Sequence, residues 1–277
     1  MRNSALLILA TALFLFGGNR NGLAQWTPPP SLQNVPVRED CTKTNRGIAL
    51  SFQPTVFDPH GAIFLCPKRA LEIDRAHPGA SFFFRVHEYG HLALHTRNEA
   101  LADGWAAEQL VHSLAGRRIL VAAFSYFTDL GNRFAVMYGT GYDRALTVAE
   151  SSRIPHEQWP PTLLDYQRKL NEKRARNGTI QLRMTDQTAD GLLWLDDHLV
   201  GFVSTVDGYH NPPVPDLPGP THRLRLEDVW VSDVRSSNKL IARGIDSSTL
   251  FQRENPTHGL SIQLSFQAES LMICVSE

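Results

Sequence analysis

The hydrophobic pattern of this 277-residue chain changes period once, near residue 177, and that change narrows the possible folds more than any other feature. Before it, apolar residues recur with helical spacing over 82–95, 98–114, 117–130, 142–152 and 162–176. Loops holding Gly116, Gly131, Gly139, Gly141 and Pro160-Pro161 separate these segments. After it, Ile180, Leu182 and Met184, and later His222 to Leu226, alternate with period two, the mark of strands with one buried face. Leu192 to Leu195, Asp196-Asp197 and Leu199 to Val203 read as a hairpin. One earlier run, Gly61 to Pro67, reads as a strand closed by proline. The expected fold class is α+β, with a mainly helical domain over 61–176 and a small all-β domain over 178–277. Residues 25–60, with Pro28-Pro29-Pro30 and Pro36, are expected to form an extended lead-in.

Residues 1–24 read as a secretory signal peptide. Arg2 supplies the positive charge, Ala5 to Phe16 the short apolar run, and Gly22-Leu23-Ala24 the small residues before cleavage near Gln25. A spanning helix needs roughly 20 apolar residues, and this run ends at Gly17-Gly18-Asn19-Arg20. The chain is therefore expected to be exported, periplasmic or secreted, with no stable membrane span after cleavage. Without Arg2 and Arg20, 25 of the 27 basic residues face 28 acidic ones. That balance excludes an electrostatic footprint for nucleic acid or anionic lipid. Of the three cysteines, Cys41 and Cys66 are expected to pair in an oxidising compartment, leaving Cys274 over; three buried free thiols are the alternative.

The chemistry concentrates at His87-Glu88-Tyr89-Gly90-His91, framed by Phe82, Phe83, Phe84, Val86, Leu92 and Leu94 in a buried helix. Histidines four apart share a helix face, so both imidazoles can reach one Zn²⁺ at about 2.0–2.1 Å. Glu88 projects beside them, placed to act as general base toward a zinc-activated water. A catalytic zinc needs a third protein ligand and an open position. Downstream, Asn98 can cap a helix that begins Glu99-Ala100-Leu101-Ala102-Asp103.

HEYGH followed by this ExxAD segment resembles the gluzincin metallopeptidases, in particular soluble relatives of the membrane CAAX-prenyl endopeptidases. The resemblance covers mainly residues 61–110 and is strongest over 87–107. It implies a zincin-like metallopeptidase domain over 61–176 holding one Zn²⁺. It makes Glu99 the third ligand beside His87 and His91, and Asp103 the carboxylate that supports a ligand histidine. Only seven residues separate His91 from Glu99, fewer than that family usually has. A plain antiparallel hairpin would put Asp103 opposite His91, so Asp103 stands as the alternative ligand. The resemblance also makes Ala62 to Cys66 an edge strand for extended substrate. Among Tyr142, Arg144 and His156 it favours Arg144 as the donor to a reaction oxyanion.

Other signals are bland. The basic run from Lys169 to Arg176 reads as a solvated helix face. Asn177-Gly178-Thr179 fits a glycosylation sequon. His198, His210, His222 and His258 lack ligand spacing, and Asp186, Asp190, Asp196 and Asp197 read as turn residues. The expected function is that of an exported zinc metallopeptidase acting on protein or peptide substrates. The rivals are a non-catalytic zinc-containing binding or envelope-assembly protein working through its β-domain, and a hydrolase of non-peptide bonds.

Overall fold

A computed structural model describes residues 26–56, 58–135, 139–206, 211–234 and 239–277. The expected signal peptide lies outside these described residues. The chain is α+β, with helices and a small sheet first and strands alone after residue 178.

The lead-in does not stay apart from the helical domain. Strands β1 (Val37–Glu39), β2 (Ala49–Phe52) and β3 (Ala62–Leu65) form one sheet in the order β1-β3-β2. β1 runs parallel to β3, and β2 antiparallel to it. Residues 25–60 thus supply two of the three strands. A Cys41–Cys66 disulfide ties the turn after β1 to the end of β3, while Cys274 is free and exposed. Pro67 ends the strand by starting a helix, α1 (Pro67–Ala76), where its missing N–H costs nothing. α1 buries no residue completely, and Ile73 is its one side chain packed on the helical core among the described residues.

Helix α2 (Ala80–Leu94) has ten buried residues and is covered on two sides. Phe83, Phe84 and Val86 join a core with α3 (Glu99–Leu110), α4 (Leu114–Leu130) and α5 (Gly141–Ser152). Tyr89 and Leu92 pack instead on Leu32, Val35 and Ile63 of the lead-in and β3. Side-chain caps satisfy the first turns: Asn98 accepts from the Leu101 N–H, Ser113 from Gly116, and Thr140 forms a capping box with Asp143. A short antiparallel pair, β4 (Phe134–Ala135) and β5 (Gly139–Thr140), lies between α4 and α5, and α6 (Pro161–Asn177) leads into the β-domain.

That domain is a two-sheet sandwich with a shared core. One sheet is antiparallel and ordered β10-β9-β7-β8, from β7 (Gln187–Leu195), β8 (His198–Ser204), β9 (Thr221–Asp233) and β10 (Lys239–Gln252). The other, ordered β12-β11-β6, combines β6 (Ile180–Met184), β11 (Leu260–Gln267) and β12 (Ser270–Ser276), with β6 parallel to β11. The expected hairpin is β7–β8, turned by Asp196 at φ 53° and Asp197.

The sandwich grips the loop between α2 and α3. Asp190 on β7 accepts from Thr96 Oγ1 at 2.6 Å and from the Arg97 N–H at 3.2 Å. The Arg97 guanidinium lies 4.2 Å from the Trp230 ring centroid and pairs with Asp228.

Candidate metal centre

Helix α2 carries His87 and His91 on one face, both buried. It ends where His95 takes the left-handed conformation at φ 49°, and Asn98 then caps α3 after a short loop. The phase of α3 against α2 decides which acid meets the histidines. A Cβ on Gly90 would lie 3.0 Å from the Ala102 carbonyl oxygen and 3.1 Å from its Cα. A side chain there would push the helices apart by a few tenths of an ångström, so Gly90 lets Ala102 sit close against α2 with Glu99 and Asp103 on either side of it. Glu99 Oε2 reaches to 2.9 Å of His87 Nε2, and Oε1 to 3.5 Å of His91 Nε2. Asp103 Oδ1 stands 2.8 Å from His87 Nδ1, on the far side of the same ring. The convergent group is therefore His87, His91 and Glu99, and Asp103 supports it.

Three donor atoms meet at one point. His91 Nδ1 lies 2.9 Å from the Thr96 carbonyl oxygen, which can only accept, so Nδ1 carries a proton and Nε2 offers a lone pair. His87 Nδ1 likewise donates to the Asp103 carboxylate. The two Nε2 atoms stand 3.0 Å apart, with the Glu99 carboxylate closing the triangle. Glu99 Oε2 is shut off from solvent and makes no hydrogen bond despite its closeness to His87. That is how ligand atoms sit around a shared cation: donors about 2.0–2.1 Å from a tetrahedral centre stand roughly 3.3 Å from one another. This group can hold a metal ion.

The electrostatics favour positive charge at the same spot. Burial opposes ionisation of His87, yet Glu99 and Asp103 outweigh it and push its pKa up to about 10. Burial would raise the pKa of Glu99, but His87 and His91 hold it well below the usual carboxylate range. Asp103 is lowered too, against burial, by Arg144 first and His87 second.

Arg144 forks onto Asp103: its Nε donates to Oδ2 and its Nη2 to Oδ1, both at 2.7 Å, above the Phe127 ring at 4.4 Å. The residue expected to meet a reaction oxyanion is thus bound to the acid that orients His87. Its Nη2 also lies 3.6 Å from Glu99 Oε2. Tyr142 and His156 are not brought to the centre; Tyr142 pairs with the Tyr166 ring and His156 with Trp159.

Glu88 is buried beside the histidines, and its Oε2 accepts the Ser51 backbone N–H at 2.7 Å. Ser51 belongs to β2, which corrects the expectation for Ala62 to Cys66. That strand is β3, the middle of its sheet, and the edge strand at the centre is β2.

Sequence reasoning also missed Thr96 and Asp190. Asp190 is no turn residue: it sits mid-strand in β7, 6% exposed, holding Thr96, whose carbonyl orients His91. Burial raises its pKa against the pull of Thr96 and Arg97. An isolated acid inside the apolar run from Ala189 to Leu195 was the available signal.

Two cavities of about 500 Å³ each open on the centre and share Glu99 and Arg144. One runs between Ala49 of β2 and Phe84, Tyr126 and Leu130, with His87 and Glu88 in its wall. The other runs between α6 and β8. Compared with protein-family models, curated proteins and solved structures, the chain has no match.

Proposed function

We propose that the protein is a zinc-dependent metallopeptidase of the gluzincin type that acts outside the cytoplasm. The observation that carries this reading is the convergence of His87, His91 and Glu99 with Glu88 lining the same cavity. Two imidazoles and one carboxylate are a donor set suited to catalytic zinc, since they leave a coordination position open. The Cys41–Cys66 disulfide supports an oxidising compartment, in keeping with the signal-like residues 1–24.

When bound, zinc would supply Lewis acidity toward a water and the scissile carbonyl. The protein's own groups do the rest. Ser51 holds Glu88 Oε2 through its N–H, which leaves Oε1 to take a proton from the attacking water and deliver it to the leaving amine. Thr96 and Asp103 fix the rings of His91 and His87 with their Nε2 atoms turned inward. The β2 edge offers backbone groups to an extended substrate beside Glu88. Phe84, Tyr126 and Leu130 give the adjoining cavity an apolar side.

The test compares wild type with Glu88→Gln, both loaded with one zinc per chain, on a broad peptide library. Cleavage by wild type alone is expected. Cleavage by neither, despite bound zinc, would overturn the enzyme reading in favour of a binding protein, and turnover only of non-peptide bonds would reassign the hydrolase.

A further inference from the structure

The cavity between α6 and β8 contains binding chemistry that the metal centre does not use. Val200, Gly201 and Phe202 of β8 line it. Leu193 pairs with Gly201 and Trp194 with Leu199, so Val200 is left out of the ladder with β7 and the strand is irregular where it lines the cavity. β8 is the last strand of its sheet among the described residues, so its outer edge carries backbone donors and acceptors with no neighbouring strand there. At Gly201, φ is +140° and an added Cβ would meet nothing within 4 Å, so open space lies over the strand there.

The facing wall is basic. Lys169, Lys173 and Arg174 of α6 line it. Lys169 is paired with Asp165 on its own helix, whereas Lys173 and Arg174 form no ion pair among the described residues. Arg174 Nε is shut off from solvent with no hydrogen-bond partner. Three acids also line the cavity. Glu99 belongs to the metal group, Asp143 accepts from Thr140 and Tyr166, and Glu150 is exposed. The cavity therefore pairs a backbone rail on one side with cations in want of anionic partners on the other.

We propose that this cavity binds an extended acidic peptide segment, which adds to β8 as a strand and turns carboxylates toward Lys173 and Arg174. The inference rests on the peptidase reading and names its substrate class: chains with acidic residues on the β8 side of the scissile bond. On the other side, the cavity of Phe84, Tyr126 and Leu130 takes an apolar side chain. The β-domain is then a wall of the substrate groove.

The experiment uses zinc-loaded Glu88→Gln protein and two fluorescein-labelled decapeptides of identical sequence, one with glutamates and one with glutamines in their place. Fluorescence anisotropy at low salt is expected to give at least about tenfold tighter binding of the glutamate peptide, a preference worth about 1.4 kcal/mol. Lys173→Glu with Arg174→Glu should abolish that preference, with unchanged zinc affinity as the check on folding. Hydrogen exchange should show protection of the amides of 199–203 by the glutamate peptide. Equal binding of both peptides, a preference that survives the double charge reversal, or unprotected β8 amides would overturn the proposal. Because Glu88→Gln protein reports binding without cleavage, the two readings fail separately. Glutamate-selective binding without wild-type cleavage sinks the peptidase and keeps the site, while cleavage indifferent to acidic residues does the reverse.

Discussion

Replacing Asp103 by Asn isolates what the buried acid contributes. Asp103 is 0% exposed, and it faces the Arg144 guanidinium through two 2.7 Å bonds and His87 Nδ1 at 2.8 Å. Asn keeps the shape but removes the charge, which takes from the buried guanidinium its nearest counter-ion and leaves Glu99 Oε2 at 3.6 Å. Breaking such a pair from one side costs about 3–5 kcal/mol. For a domain of this size each kcal/mol moves Tm by roughly 2–4 °C, so the expected drop is roughly 6–20 °C. Independently, His87 loses the carboxylate that fixes its tautomer, and zinc affinity should fall about 10–100-fold. Asp103→Leu combined with Arg144→Met separates the two effects. An apolar pair of similar volume should restore most of the stability, as apolar replacements of buried ion pairs often do, yet leave zinc binding weak. Calorimetry of the metal-free proteins and competitive zinc titration read the two quantities. Unchanged zinc affinity in Asp103→Asn, or full recovery of zinc binding in the apolar double variant, would refute the reasoning.

Asp190→Ala should weaken zinc binding by about tenfold by loosening Thr96, while Asp190→Asn, which can still accept from Thr96 Oγ1, should stay within about twofold of wild type; a competitive zinc titration distinguishes them. In metal-free protein the pKa of His87 is raised above its unfolded value of 6.5 to about 10. Its contribution to stability is therefore complete below pH 6.5 and is lost as pH rises toward 10, so urea midpoints should fall over that window. Zinc binding near pH 7 should release a proton from His87, which buffer-dependent calorimetry would detect. Reducing the Cys41–Cys66 bond, whose cysteines are 25 residues apart, should lower stability by about 3.5 kcal/mol on the chain-entropy estimate, measured by denaturation with and without reductant.

The helices that build the core were legible because they bury apolar stripes, and α2 most of all, with ten buried residues. α1 was not, because it buries nothing completely and a proline read as a strand end opens it. β1 and β2 escaped because their three and four residues are too short for an alternation to stand out. At the centre, helical spacing alone gave His87, Glu88 and His91 their common neighbourhood. The choice between Glu99 and Asp103 depended on how two helices cross, and that turns on the Gly90–Ala102 contact, which no local pattern reports. Asp190 was harder still, since 94 residues separate it from the Thr96 it holds. The edge role of β2 is a matter of sheet order, which pairing decides.

X-ray absorption at the zinc edge, on protein loaded with one equivalent of zinc, tests the metal centre most directly. The account predicts two imidazole nitrogens and one carboxylate oxygen at about 2.0–2.1 Å with an exchangeable fourth oxygen. Glu99→Ala should lose the carboxylate contribution and Asp103→Ala should keep it. A sulfur ligand, a shell without both histidines, or a carboxylate that vanishes in Asp103→Ala but persists in Glu99→Ala would contradict it.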